Sequence, residues 1–186
     1  MNMLLAFSPF IAFVVLERLV GTLPALLAGA LTSIALLLYD RLRGGGQVKV
    51  LEAGTALLFS GLALWAWLDG GQGWSIAGVR LRVDLGLLLI VLASLALRRP
   101  FTLQYARVEV SDEVARSPQF LRINNVITGI WALAFALLVV ADLLLLYMPQ
   151  LPQHVAVMLT IAALYGAYKF TVWYPQRVRA QARAAA

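Results

Sequence analysis

Apolar residues gather into six runs along the chain, at about residues 3–20, 22–40, 50–68, 82–98, 122–147 and 153–174. Several are only about 17–19 residues long, near the lower limit for a helix that crosses roughly 30 Å of hydrocarbon. Glycine-rich punctuation separates them. Gly21-Thr22-Leu23-Pro24 makes a tight connection that predicts a hairpin of the first two helices. Gly44-Gly45-Gly46 breaks the chain after the second run, and Asp69-Gly70-Gly71-Gln72-Gly73 after the third. Pro9 is expected to kink the first helix, a distortion that neighbouring helices absorb within a membrane. There is no internal repeat and no separate soluble region. The pattern predicts an all-α fold: a polytopic membrane helix bundle of six transmembrane helices, forming a single transmembrane domain over residues 1–186.

The longest polar interruption lies between the fourth and fifth runs and begins "RRPFTLQYAR", residues 98–107. Proline suits the first turn of a helix, where its missing N–H is harmless, so a short helix is expected from Pro100. Phe101, Tyr105 and Val108 then fall at i, i+4 and i+7 and make one apolar stripe, with Arg99, Thr102 and Arg107 pointing elsewhere. The segment 99–117 is therefore read as a cytoplasmic interfacial segment that carries a short helix of about two turns, apolar face down and arginines toward phosphate. An extended segment with Phe101, Leu103 and Tyr105 on one side is the alternative. Arg98, Arg99, Phe101, Tyr105 and Arg107 are the candidate contacts with a partner or with lipid headgroups; the plainer reading is an anchor between two spans. Ser117-Pro118 supplies an N-cap and a first-turn proline for the fifth helix.

Composition narrows the class. Of 186 residues, 62% are hydrophobic and 13% charged, against about 45–50% and about 25% in soluble domains. So little charge cannot dress a globular surface. The start "MNMLLAFSPFIAFVVLERLV" lacks a basic leader and a nearby small-residue cleavage site, and is expected to remain as the first helix. The net charge of +6 does not point to nucleic acid, because the arginines cluster at the ends of apolar runs.

Those arginines orient the chain. With six crossings, Arg41, Arg43, Lys49, Arg98, Arg99, Arg107, Arg116, Arg122, Arg177, Arg179 and Arg183 share one side. That side is expected to be cytoplasmic, with both termini in it, in a bacterial inner membrane. Trp65, Trp67 and Tyr147 then lie at outer helix ends, and Tyr39, Trp173 and Tyr174 at inner ends, where amphipathic rings prefer to sit. Small residues four apart, Ala25, Gly29 and Ser33 on the second helix and Ala162 and Gly166 on the sixth, suggest contact faces; chance in an alanine-rich chain explains them equally well.

Ionisable side chains inside spans carry a functional hypothesis by default. At 1.5 Å per residue, Asp142 and Lys169 each lie about 7–8 Å inward from opposite ends, leaving roughly 15 Å between them. Asp142 is instead level with Glu17, Arg18, Arg82 and Asp84, which predicts an outer-leaflet polar cluster. It is either a set of ion pairs that locks helix packing or a proton or substrate path. Lys169 is expected to extend inward past Trp173. No catalytic, cofactor or metal site is expected. The chain has no cysteine and one histidine, His154, so a histidine pair for metal or haem cannot form within it. Ser60 and Ser94 lack a nearby base, and Asp112 and Glu113 are adjacent and diverge on a helix.

Three stretches carry a family resemblance: "LLAFSPFIAFVV", "RRPFTLQYAR" and "TGIWALAFALLVVADLL". In these the chain resembles the intracellular septation protein A family of bacterial inner-membrane proteins. The family pattern has an aspartate at the position of Ala6, and asparagines at those of Thr128 and Asp142. The resemblance implies a non-enzymatic role in envelope organisation, elongation or septation through contacts with other membrane proteins. Expected partners are the lipid bilayer and membrane proteins of the envelope or division machinery, with a homo-oligomer allowed and nucleic acid excluded. The rival readings are a small transporter or lipid-handling protein that uses the polar cluster, and an accessory subunit of a larger membrane complex.

Overall fold

A computed structural model describes residues 3–44, 48–70, 74–148, 150 and 152–184. All regular elements among the described residues are helical. A 3₁₀ turn, Met3–Phe7, leads into α1 (Ser8–Val20). Pro9 lies in the first turn of α1, where no intrahelical hydrogen bond is lost, so it starts this helix instead of kinking it. Gly21, with φ of 92°, turns the chain directly into α2 (Thr22–Gly44). Next come α3 (Val50–Leu68) and α4 (Ile76–Ala96). The short α5 (Phe101–Ala106) runs into a 3₁₀ turn, Arg107–Glu109, and is followed by α6 (Asp112–Ala115). Two long helices, α7 (Pro118–Tyr147) and α8 (Gln153–Ala184), complete the chain. The expected breaks at Gly45-Gly46 and Gly71-Gln72-Gly73 lie outside the described residues.

Among the described residues, four helices are long and apolar enough to cross a membrane: Thr22–Leu42 within α2, Val50–Leu68, Pro118–Tyr147, and Gln153–Gln181 within α8. The first and fourth of the expected spans are not among them. Helix α1 has only 13 residues. Helix α4 has 21, but any 18-residue stretch of it includes Arg80, Arg82 and Asp84.

The chain gathers into two compact units, Met1–Ile90 and Val91–Ala186. In the first, α1 packs on α2 and α2 on α3. Their shared core holds Phe13, Leu26, Phe59, Leu62, Val79 and Val83, with Ala25, Ala30, Ala63 and Ala66. The face of α2 that carries Ala25, Gly29 and Ser33 is indeed buried. Close approach explains it: a Cβ on Gly29 would lie 2.6 Å from the Phe59 ring. Helices α3 and α4 exchange such gaps, since Gly54 faces Ile90 and Gly86 faces Leu58.

In the second unit α7 packs along α8, and α5 packs on α7. Thr128, Trp131, Phe135, Leu138 and Asp142 lie on the buried face of α7. The expected small-residue face of α8 is not a contact here: Ala162 and Gly166 are exposed, and nothing lies within 4 Å of a Cβ added at Gly166. Ala156 and Ala167 are the buried alanines of α8 instead. Spacing alone found a small-residue stripe but could not say which stripe has a neighbour.

Candidate functional site

The site is the corner where α4 turns into α5, and its geometry begins with a helix end. Arg98 N–H donates to the Leu95 carbonyl and Arg99 N–H to the Ser94 carbonyl, each at 2.9 Å. This pair of bonds is a Schellman motif, which needs a left-handed residue and usually takes glycine there. Here Arg98 occupies it with φ of 54°, the one positive φ at a non-glycine among the described residues. An L-residue with a side chain gives up about 1 kcal/mol in that conformation. Ser94, fully buried, closes the corner from beneath. Its hydroxyl donates to the Val91 carbonyl at 2.7 Å and accepts the Phe101 N–H at 3.3 Å.

Pro100 sits just ahead of α5, and beyond it Phe101, Thr102, Leu103 and Tyr105 are all buried. Phe101 meets Trp131 edge-on at 6.5 Å between centroids. Thr102 donates to the Asn124 carbonyl at 3.1 Å and is 2.8 Å from the Thr128 hydroxyl. Because the one hydroxyl proton of Thr102 goes to Asn124, Thr128 must donate to Thr102. The Asn124 amide is satisfied on the Phe120 carbonyl at 2.9 Å. Trp131 then donates to the Thr171 hydroxyl at 2.9 Å, which donates to the Ala167 carbonyl at 2.8 Å. A chain of side-chain bonds thus ties α5 to α7 and α7 to α8.

This arrangement divides the expected contact residues. Arg98, Arg99 and Arg107 are exposed, as a contact surface requires. Phe101 and Tyr105 are not available to lipid or partner, being 0% and 5% exposed. The expected stripe is therefore split, since Val108, in the 3₁₀ turn that follows, is 70% exposed. Thr102, expected to point outward, is the side chain that fixes α5 on α7. Its polarity argued for the surface; only a hydroxyl partner twenty-six positions away makes burial favourable. Ser117 caps α7 as expected, accepting the Phe120 N–H at 3.2 Å.

Glu17 and Asp142 are buried on α1 and α7, Arg18 is exposed, and Asp84 is half-buried on α4. Arg82 folds back along α4 to donate to the Gly78 carbonyl at 2.9 Å. Its guanidinium lies over two indoles, 4.7 Å from Trp74 and 5.3 Å from Trp65. Trp74 donates to Asp69 at 2.8 Å. Lys169 does not extend past Trp173: its ammonium reaches back one turn to Tyr165, at 5.6 Å. Helix side chains lean toward the N-terminus, so an i−4 ring is the nearer partner.

One polar cluster escaped the sequence reading. Lys49, between α2 and α3, is salt-bridged to Asp40 and, at 3.1 Å, to Glu52, which is 3% exposed. Burial pulls the Lys49 pKa down, but hydrogen bonds and charge from Asp40 and Glu52 outweigh it and leave the ammonium above its ordinary value. The i,i+3 spacing of Lys49 and Glu52 at the start of α3 was the available signal. Among the described residues, no group of three or more His, Cys, Asp and Glu side chains is placed to hold a metal ion. No family model, curated protein or solved structure matches the chain.

Proposed function

We propose that this chain is a multi-pass protein of the bacterial inner membrane, with six crossings and both termini in the cytoplasm. It acts without catalysis, through contacts of its basic cytoplasmic corner, in envelope organisation, elongation or septation. The observation that carries this reading is the exposure of Arg98, Arg99 and Arg107 at a corner whose backbone and first helical turn are tied down by hydrogen bonds of Ser94 and Thr102. A contact surface gains from such preorganisation because less freedom is lost on binding.

Lengths support the two further crossings. The 3₁₀ turn and α1 together reach about 30 Å, and α4 about 31 Å. The return of Arg82 toward the start of α4 supports a crossing there, since its charge is carried toward the helix end. The resemblance to the septation protein family supplies the class of task. An accessory-subunit role would differ only in the partner.

The test is a photo-crosslinking residue placed at Arg99 or Arg107 in living cells. Envelope or division proteins should be captured, and the same proteins should co-purify in mild detergent. Arg99→Ala with Arg107→Ala should lose most of that recovery. A chain that purifies alone under several gentle conditions overturns the reading.

Burial of Glu17 and Asp142 among apolar helices favours a second reading, a proton or substrate path. It requires Asp142→Asn to fold normally yet abolish transport-linked activity.

A further inference from the structure

The α4–α5 corner exposes two kinds of side chain side by side. Leu97 is 65% exposed next to Arg98 and Arg99, and Val108 is 70% exposed next to Arg107. The other large apolar side chains of the corner are buried. No carboxylate occurs from Leu97 to Val108; Glu109, Asp112 and Glu113 come only afterwards. Aliphatic tips interleaved with guanidinium groups suit a lipid boundary, where the first enter the acyl region and the second meet phosphate.

A second observation singles out Arg98. Its left-handed backbone is one that glycine would adopt without strain, yet an arginine is held there. Strained residues of this kind persist where the side chain itself is used.

We propose that the α4–α5 corner docks the phosphate of an anionic phospholipid, centred on Arg98 with Arg99 and Arg107 and seated by Leu97 and Val108. This rests on the reading above only so far as that reading puts the corner at a membrane surface. Charge complementarity selects the occupant: three cations against one carboxylate, Glu109 in the turn that holds Arg107, leave a net positive corner that favours an anionic headgroup over a zwitterionic one.

The two observations make opposite demands on one residue, and that gives the test. The full-length chain is placed in nanodiscs of phosphatidylcholine, alone or mixed with phosphatidylglycerol. Melting temperature and bound phosphatidylglycerol, by native mass spectrometry, are both read. In phosphatidylcholine alone, Arg98→Gly should raise the melting temperature by about 2–4 °C through relief of the backbone. The same variant should bind phosphatidylglycerol about fivefold more weakly, the worth of one basic residue near an anionic surface. Arg98→Lys, which keeps both charge and strain, should hold the wild-type preference within about twofold.

Undiminished phosphatidylglycerol binding by Arg98→Gly overturns the proposal. So does a rise in melting temperature with free glycerol phosphate as large as that with the lipid, which would assign the corner to a soluble phosphate. Crosslinked protein neighbours that survive without any lipid preference would sink this inference and leave the proposed function standing. Lipid preference without neighbours would do the reverse.

Discussion

Up to Ile90 the helices meet where a side chain is missing: Gly29 takes the Phe59 ring, Gly54 takes Ile90 and Gly86 takes Leu58. From Val91 onward they meet through hydroxyls and an indole: Thr102 on Thr128, Trp131 on Thr171. Helices within a bilayer gain little from burying apolar surface against one another, because lipid is equally apolar. Close packing and hydrogen bonding are the two substitutes, and each half of this chain favours one. The first half should therefore be sensitive to added volume and the second to lost polarity.

The largest effect expected from that contrast is at Gly29. The Phe59 ring above it is packed against Phe10 and Phe13, at 5.1 and 5.8 Å between centroids, and has no room to withdraw. Gly29→Val should cost about 3 kcal/mol through overpacking, read from unfolding in mixed micelles. Gly166→Ala, on a helix face with nothing nearby, should stay within about 0.5 kcal/mol. Equal costs at the two positions would mean that gaps for side chains do not hold the first half together.

Gly29 and Gly166 also mark the limit of what was legible in the sequence. Both belong to small-residue patterns with a spacing of four, and only one faces a neighbour. Hydropathy located the apolar helices well: the expected run 50–68 is α3 to the residue. It misplaced ends that polar residues continue, so α4 starts at Ile76 rather than about 82, and α8 runs past Pro175 to Ala184. At the corner, the exposure of the arginines followed from charge. The burial of Phe101 and Tyr105 did not, because amphipathic spacing treats a two-turn helix as isolated and is blind to Trp131. Thr102 was hidden for the same reason.

An intermediate effect belongs to the first half, and it is polar. Lys49 joins Asp40 near the end of α2 to Glu52 at the start of α3. Lys49→Met removes the cation and leaves Glu52 buried beside Asp40. With Lys49 and Asp40 partly screened by solvent, the cost should be about 2 kcal/mol near neutral pH. The pH dependence has a defined sign. A pKa raised by folding contributes stability that is complete below the ordinary value of 10.5 and is lost as pH climbs through the folded value. From neutral pH upward, stability of wild type and Lys49→Met should therefore differ by a constant amount to about pH 10.5, and the difference should shrink above it. Convergence on the acid side of neutrality, with no change above, would show that the carboxylates and not the ammonium set the dependence.

The smallest effect should come from Thr102→Val, which removes the hydroxyl and keeps the shape. Thr128 loses its acceptor, but the Asn124 carbonyl four residues before it is vacated at the same time. The Thr128 hydroxyl can turn to that carbonyl, as threonines in helices do. The cost should then be about 1 kcal/mol rather than the full penalty of a buried orphan. Thr128→Val should cost a similar amount, since Thr102 still donates to Asn124. The double variant should cost less than the sum by about 1 kcal/mol, the coupling expected of two groups in one network. Amide exchange should separate this local bond from global stability. Thr102→Val frees the short α5 from α7, so its amides should exchange faster while those in the middle of α7 stay protected. Loosening confined to α5 would identify Thr102 as the bond that holds the basic corner in position. Strict additivity of the two substitutions would instead assign the attachment of α5 to Phe101 against Trp131 and to the Ser94 hydroxyl.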